Sequence, residues 1–494
     1  MIVKLGGDKK MKRNIFLAIA VTALMVASTI AQAADVSFSG QIRPRFIMDE
    51  DATDRTTGDA SADTATDKAF TFDTRVRLNA KANVNANTEV FLQLQSIGTW
   101  GNNDGDNGTR VSSGDAASAN DALGDVGFHQ AYLTLKNFGG QAVDAKIGRQ
   151  EVVLDGHRLF GNTGWTTGAE TKDAIRLTHA GGNHTINAIY IKENSNDGVA
   201  NDTNQDGDMY VLHSNTQGVL GGALSAYFVT LQDGSTTAEI DDGMTWFTLG
   251  ARQAGKLAGL DYRVEYYHQF GDAGAIAVNT DGYYNTASGT GNTNADIDRD
   301  AHMFGVRVGK TFANAAGKPS ITFWYDRLSG TDDDDINDSD FGGFDTLSDT
   351  GHKFYGFQDF YLSAVGGGTR GLGLQDYAIK TKFSPRAGWT AKADMHWFHT
   401  AVDGTAGDAD TFITNDALIN TASVLDTDLG SELDLTLAHK YDANTKIVLG
   451  YSHYWTSTTF GQLNAAGGNA LTAATSSTRN EDADWAYVMV DTKF

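Results

Sequence analysis

Segments that alternate between apolar and polar side chains recur along nearly the whole chain, and they restrict the fold more than any other feature of the sequence. Period-2 alternation is typical of strands with two unlike faces. The eighteen segments are 36–48, 70–82, 88–100, 126–137, 142–153, 172–181, 184–193, 208–216, 222–232, 244–255, 259–270, 301–313, 319–328, 374–384, 388–402, 430–441, 445–457 and 482–494. Most are long enough to cross a bilayer as tilted strands.

The connections between these segments come in two sizes that alternate. Even-numbered segments are followed by tight turns rich in Gly, Asn and Asp, such as 83–87, 182–183 and 442–444, which suit hairpins. Odd-numbered segments are followed by long polar loops of about 11 to 45 residues. This sorting predicts that the turns gather at one rim of the fold and the loops at the other, as in transmembrane barrels.

No stretch after the N-terminus approaches 18 continuous apolar residues, the length typical of a membrane-spanning helix. Backbone groups in lipid must be paired internally, and strands achieve this only in a closed barrel. We therefore predict an all-β fold: a transmembrane antiparallel up-and-down β-barrel of about 18 strands (16 is possible), formed by residues 34–494 as one domain. A secreted soluble sandwich is the alternative.

The N-terminus indicates export. Lys12 and Arg13 precede an apolar run over 15–27, and Ala31-Gln32-Ala33 is a small-x-small cleavage pattern. Residues 1–33 are thus predicted to be a signal peptide, with Met11 as the start of translation. Export fits a location in the outer membrane of a Gram-negative bacterium, in contact with lipid and lipopolysaccharide.

The last segment ends on Phe494, and its residues 482–494 alternate cleanly. It resembles the closing strand of bacterial outer-membrane barrels. The resemblance implies that the barrel-assembly machinery recognises Phe494.

The charge of the chain is unevenly distributed. The formal net charge is −24, which argues against nucleic acid as a partner, and the absence of Cys excludes disulfides and thiolate metal sites. The nine long loops contain 42 acidic and 8 basic residues. The strands and turns beyond residue 33 contain 25 basic and 19 acidic residues. The loops are acidic, and the wall is basic.

Strand parity predicts where the basic side chains point. In the first segment Ile42 and Phe46 share one face, while Arg43 and Arg45 share the other. Arg on a lipid-facing surface costs about 2–4 kcal/mol at the membrane midplane, so the polar face must border a wet lumen. The basic residues assigned to the lumen are Arg43, Arg45, Arg75, Arg77, Lys81, Arg149, Arg176, Arg252, Arg263, Arg307, Lys380, Lys382 and Lys392. Their predicted counter-charges are Asp73, Glu265, Asp376 and Asp394.

Arg149 is the exception, because it shares its parity with the apolar Ile147 and fits the lumen only if a bulge occurs near Gly148.

The basic lumen has two interpretations. Guanidinium groups bind carboxylate and phosphate, which favours a pathway for anions. Alternatively, the charges only pair with one another and hold the wall.

Several motifs resemble the alginate export family of outer-membrane barrels. They are 148–162 (GRQEVVLDGHRLFGN), 173–177 (DAIRL), 351–361 (GHKFYGFQDFY), 371–385 (GLGLQDYAIKTKFSP) and 428–455. The resemblance implies an 18-stranded monomeric barrel that passes an anionic polysaccharide through an Arg-lined constriction. Energy for export would come from a periplasmic partner, since the chain has no ATP-binding motif.

Arg149, Arg158 and Arg176 match Arg positions of the family motifs. Arg158 is then expected to fold inward and narrow the pore. The alternative is that Asp155, Arg158 and Gly161 only fix the shape of their loop.

Asp202, Asn204, Asp206 and Asp208 have the spacing of the first half of a calcium loop, but His213 stands where the usual Glu belongs. A solvated Asp-rich loop is the alternative, so calcium is the one cofactor considered. The chain has no HExxH motif, and neither a serine nucleophile elbow nor a glycine-rich phosphate loop occurs in a strand–turn–helix setting, which argues against an enzyme.

The sequence leaves three functions open. The first is passive passage of an anionic solute or polysaccharide. The second is a general diffusion porin, favoured by the acidic loops. The third is a structural or adhesive surface barrel.

Overall fold

The computed structural model describes residues 35–50, 68–100, 126–194, 207–233, 244–278, 284–285, 293–332, 335, 340–362, 369, 371–403, 426–460 and 482–494. The predicted signal peptide and parts of the long loops lie outside these residues.

Eighteen strands form the wall of a closed barrel. They are β1 (Asp35–Glu50), β2 (Lys68–Asn85), β3 (Thr88–Thr99), β4 (Gly127–Leu135), β5 (Asp144–Gln150), β6 (Lys172–Gly181), β7 (His184–Asn194), β8 (Gly207–Val219), β9 (Gly222–Asp233), β10 (Met244–Leu257), β11 (Leu260–Val278), β13 (Thr293–Thr311), β14 (Ser320–Leu328), β16 (Leu374–Phe383), β17 (Trp389–His399), β18 (Asp428–Lys440), β19 (Thr445–Thr456) and β20 (Ala483–Lys493). Two-residue strands β12 (Tyr284–Asn285) and β15 (Asp340–Phe341), and the 3-10 helices Phe138–Gly140 and Gly351–Lys353, complete the described elements.

Each wall strand is antiparallel to its two neighbours, and β20 pairs with β1 to close the barrel. At the seam Ile42 faces Thr492, and Phe46 faces Val488. The pairing continues to the last residue, since Gly40 and Phe494 exchange backbone hydrogen bonds of 2.7 and 3.1 Å. The predicted fold class and strand number are confirmed. Among the described residues, no helix has the length and apolar character needed to cross a membrane.

The two faces of the wall differ as the alternation predicts. Outward side chains such as Ile42, Phe72 and Leu435 are 40–45% exposed. Inward side chains of the same strands, such as Arg43 and Arg75, are only 4–5% exposed. The burial shows that other parts of the chain occupy the interior.

Two inward-folded loops provide this filling. L3 is residues 151–171, after β5, and L7 is the described part of 329–373, between β14 and β16. Leu159 and Phe160 of L3 and Phe344 and Phe354 of L7 are at most 2% exposed. They belong to one apolar cluster that also includes inward residues of the wall, such as Ile191 of β7. The hydrophobic core of the protein therefore lies inside the barrel.

L3 and L7 are joined by backbone hydrogen bonds. Gly161 N–H donates to Ser348 O at 2.7 Å, and Ser348 N–H donates to Leu159 O at 3.0 Å. A Cβ atom at Gly161 would lie 2.0 Å from the side-chain oxygen of Thr350, so only glycine permits this approach. The two loops thus form one internal unit.

Candidate functional site: the barrel interior

An arginine patch, consisting of Arg43, Arg45, Arg75 and Arg77, lies on the inner faces of β1 and β2. The antiparallel register sets Arg43 opposite Arg75. Like charges directly opposite each other destabilise a sheet, so this pair needs compensation from elsewhere.

Backbone carbonyls of L3 supply that compensation for Arg43 and Arg75. Arg43 donates to the carbonyl oxygens of Gly164, Trp165 and Thr166 at 2.7, 3.0 and 2.9 Å. Arg75 donates to the carbonyls of Gly164 and Thr166 at 3.3 and 3.2 Å. Neither guanidinium has a carboxylate within 4.0 Å among the described residues. Two positive charges are therefore held by neutral dipoles.

Arg45 and Arg77 complete the patch with mixed partners. Arg45 contacts Asp73 at 3.4 Å and lies 4.4 Å from the centre of the Trp165 ring. Arg77 donates to Gln95 at 2.7 Å and lies 3.5 Å from Glu151, the first residue of L3. Hydrogen bonds and nearby charges lower the pKa of Glu151 although its burial acts in the opposite direction.

A charged cluster, consisting of Arg158, Arg252, Arg263, Arg307, Glu265 and Asp326, lies against β10, β11, β13 and β14. Arg158 comes from L3, and the other five residues come from the wall. Arg158 forms a buried ion pair with Asp326 and lies 3.5 Å from Glu265. Its guanidinium also covers the Phe354 ring of L7 at 3.7 Å. Burial acts to lower the pKa of Arg158, but Asp326, Tyr355 and Glu265 raise it by more.

The wall arginines surround the same two carboxylates. Arg252 and Arg263 lie 3.8 and 3.5 Å from Glu265. Arg307 lies 3.2 Å from Asp326 and 3.9 Å from Glu265. Four guanidinium groups thus share two carboxylates. The Nε and Nη2 atoms of Arg263 are buried and have no hydrogen-bond partner among the described residues.

Lys353 of L7 adds another positive charge near this cluster. It donates to the carbonyl of Gly156 in L3 at 3.1 Å. Burial and the neighbouring arginines Arg263, Arg158 and Arg252 lower its pKa. The region therefore contains more basic side chains than its carboxylates can neutralise.

Further predicted residues lie along the inner wall. Lys380 lies 3.5 Å from Asp394 and 4.3 Å from the centre of the Trp324 ring. Lys382 and Lys392 face each other on β16 and β17. Arg176 donates to Asn187 at 3.0 Å, and Lys81 pairs with Glu89 at 2.9 Å.

The sequence matches a known protein family. The model of the alginate export family covers residues 34–477, which is most of the chain. The chain belongs to the alginate export family. The comparison with curated protein sequences returns no match.

Solved structures of two bacterial proteins are similar to this family member. OccAB3 of Acinetobacter baumannii has a TM-score of 0.51 and 11% identity, with 93% of this chain and 99% of that chain covered. OccK8 (OprE) of Pseudomonas aeruginosa has a TM-score of 0.50 and 12% identity, with 93% and 98% covered. At such identities the likeness establishes the fold alone. The chain is thus a closed 18-stranded β-barrel of the alginate export family.

For this member of the alginate export family, the predicted side of the wall is wrong at one basic residue. The prediction assigns Arg149 to the lumen, but Arg149 lies opposite Asp173 on the face that carries the exposed Ile175. It pairs with Asp173 at 2.9 and 2.6 Å. The pairing of β5 with β4 and β6 shows no register shift at Gly148, so the bulge needed to turn Arg149 inward does not occur.

Asp376 also differs from its predicted role as a counter-charge to basic residues. Its carboxylate pairs with the Nδ1 atom of His396 at 2.9 Å, and both side chains are fully buried. His396 lies on β17, the strand that pairs with β16, so its ring contacts Asp376 directly. The other three predicted acids, Asp73, Glu265 and Asp394, each lie within 4.0 Å of a predicted basic residue.

Several residues that hold the interior together are not among the predicted site residues. Asp155 of L3 is bound by His213 and Asn215, both at 3.2 Å, and by Tyr227. Burial would raise the pKa of Asp155, but these hydrogen bonds lower it. Glu432 of β18 accepts the backbone N–H groups of Phe357 and Gln358 in L7.

Strand parity could have found some of them. Trp324 and Asp326 share the parity of the buried Leu328 on β14 and face the interior. The anchoring contacts of L3 and L7 have no such signal, because they join residues far apart in the sequence.

The calcium hypothesis stays a prediction, because Asp202, Asn204 and Asp206 lie outside the described residues. Asp208 is described, and it pairs with Lys192 at 3.2 Å. Within the described part of the chain, no group of three or more His, Asp and Glu residues is placed to hold a metal ion.

Proposed function

We propose that this channel passes anionic solutes, with an anionic polysaccharide such as a polyuronate as the principal candidate. The observation that carries the proposal is the excess of guanidinium groups over carboxylates around L3. Among the described residues, Arg43 and Arg75 are held by carbonyl dipoles, and four arginines of the charged cluster share two carboxylates. An anion that approaches these groups gains attraction without first having to displace a carboxylate from Arg43 or Arg75.

L3 and L7 would set the width of the passage. Both loops are tied to the inner wall by charged side chains, L3 through Asp155 and L7 through Glu432. A constriction held at several points presents its arginines in a constant geometry, as selective binding requires. The passage is passive in this proposal, and energy for directed export would come from a periplasmic partner.

The family also supports a proposal about location and assembly. We propose export through cleavage after Ala33, assembly through recognition of Phe494, and function as a monomer in the outer membrane of a Gram-negative bacterium. The backbone pairing of Phe494 with Gly40 at the seam supports a role for the last residue in closure.

The test is the reversal potential of the purified barrel in a planar bilayer under a salt gradient. We expect anion selectivity and block by short oligouronates. A cation-selective pore that ignores oligouronates would indicate that the acidic loops set the field and that the protein is a general porin. A barrel that conducts nothing would favour the adhesive function.

A further inference from the structure

The outer wall has a groove over β6 to β9. Its volume is about 380 Å³. Its lining includes Ile175, Leu177, Ala188, Tyr210, Leu212 and Phe228. The register places Ala188 between Leu177 and Leu212, so the small side chain forms the floor between larger ones.

This groove faces the membrane. Tyr210, Leu212 and Phe228 are 41–52% exposed, and they lie on the outward faces of β8 and β9. Lipid hydrocarbon is the medium against this part of the wall. An unfilled depression would forfeit dispersion contacts on all its surfaces, whereas one acyl chain lying in it would recover them.

A row of charged side chains crosses β5 to β8 on the same face as the groove. The register aligns Arg149, Asp173, Lys192 and Asp208 on four successive strands. These residues lie at the strand ends that join the long loops, which is the outer-leaflet side. Lys192 lies four residues beyond Ala188, about 13 Å along the strand and about 10 Å along the membrane normal for a strand tilted by about 40°.

Its position within two residues of the loop-side strand ends places the charged row near the level of lipid headgroups. Tyr190 strengthens this assignment, since its hydroxyl donates to Asp208 at 2.7 Å while its ring lies 5.4 Å from that of Tyr210. Tyrosines with an apolar ring and a polar end are typical of the membrane interface. A guanidinium has five N–H donors, so it can donate hydrogen bonds to a carboxylate and a phosphate at the same time.

We propose that this face binds a phosphorylated glycolipid of the outer leaflet, that is, lipopolysaccharide. One acyl chain lies in the groove over Ala188, and headgroup phosphates accept hydrogen bonds from Arg149 and Lys192. The site is on the outside of the wall and is independent of what passes through the lumen.

The binding of purified lipopolysaccharide to the detergent-solubilised full-length barrel tests this site. Ala188→Phe fills the groove, and we expect roughly tenfold weaker binding, the cost of withdrawing about two methylene groups from an apolar surface. The matched control is Ala393→Phe, because Ala393 faces outward on β17 between Thr381 and Leu435, away from the groove. It should bind as the unmodified barrel does.

The headgroup contacts are tested by Arg149→Gln combined with Lys192→Gln. This variant should lose affinity for lipopolysaccharide but not for its dephosphorylated form. Heat-modifiable migration on a gel verifies that each variant is a closed barrel. Equal binding by Ala188→Phe and the unmodified barrel would overturn the proposal. Binding of phosphatidylglycerol as tight as that of lipopolysaccharide would overturn the glycolipid assignment.

Discussion

The arginine patch and the charged cluster both contact L3, but Arg43 and Arg75 of the patch are neutralised differently from the arginines of the cluster. In the patch, Arg43 and Arg75 belong to the wall, and L3 offers them backbone carbonyls. In the cluster, L3 contributes the charge itself, because Arg158 inserts between the wall carboxylates of Glu265 and Asp326. One contact uses dipoles, and the other uses ion pairs in a buried setting.

The difference has consequences for stability and for transport. Removal of one member of a buried ion pair leaves an uncompensated charge, which is strongly destabilising. Removal of an arginine held by carbonyls loses hydrogen bonds but also relieves the burial of a charge. The cluster should therefore contribute more to holding L3 in place, and the patch should contribute more to selectivity.

The largest expected effect is on stability, in Asp326→Asn. This change leaves Arg158 and Arg307 without their nearest carboxylate, and we expect a loss of about 3–5 kcal/mol. The measurement is unfolding of the barrel in detergent, followed by circular dichroism. Arg43→Gln is the matched change in the patch, with an expected loss of about 1 kcal/mol. Equal losses in the two variants would remove the distinction between the regions.

The second effect is on ion selectivity, in the double variant Arg75→Glu with Arg77→Glu. Although Arg75 is buried beneath L3, a unit charge still contributes about 1 kcal/mol to an ion roughly 16 Å away at an effective dielectric constant of about 20. Reversal of two charges should thus shift the permeability ratio several-fold toward cations. The readout is the reversal potential under a salt gradient. An unchanged ratio would place these two arginines outside the pathway.

The third effect concerns the pH dependence of stability near the cluster. Burial raises the pKa of Asp349 in L7 from 3.8 to about 8, although Arg158 acts in the opposite direction. Between these values the folded state holds a proton that the unfolded chain has released. The free energy of unfolding should therefore fall as the pH rises from about 4 to about 8, by up to about 1.4 kcal/mol per pH unit.

Asp349→Asn is the matched variant for this effect, because an amide stays neutral at every pH. Its stability should decrease less over the same range, with the largest advantage over the unmodified chain near pH 8. Unfolding curves at several pH values measure the difference. Parallel pH profiles would mean that Asp349 titrates normally and that the charged cluster has one more acid than we assign to it.

The smallest expected effect is on selectivity, in Arg149→Gln. Arg149 lies on the outward face with Asp173, so the loss of its charge should leave the reversal potential within error of the unmodified value. A clear shift toward cations would return Arg149 to the pathway and contradict the register of β5.

Strand parity alone locates much of the interior. It places Arg43, Arg75 and Arg307 on inward faces, where their side chains are 4–6% exposed. It also marks Arg149 as inconsistent with the lumen, and the undistorted register of β5 shows that this local signal is better than the family motif that favours Arg149. Strand parity cannot predict, however, which side chains bind each other. His396 binds Asp376 because of how two strands align, and no local pattern encodes that alignment.

The sequence by itself determined a barrel of about 18 strands, the sides of the wall and the separation of basic wall from acidic loops, because these follow from side-chain alternation and from turn chemistry over a few neighbouring residues. Only the tertiary structure decided that L3 and L7 fill the barrel and that Arg158 meets Asp326 across 168 positions of sequence. Such contacts depend on barrel closure, which brings distant strands around one interior and leaves each buried charge to find its partner there.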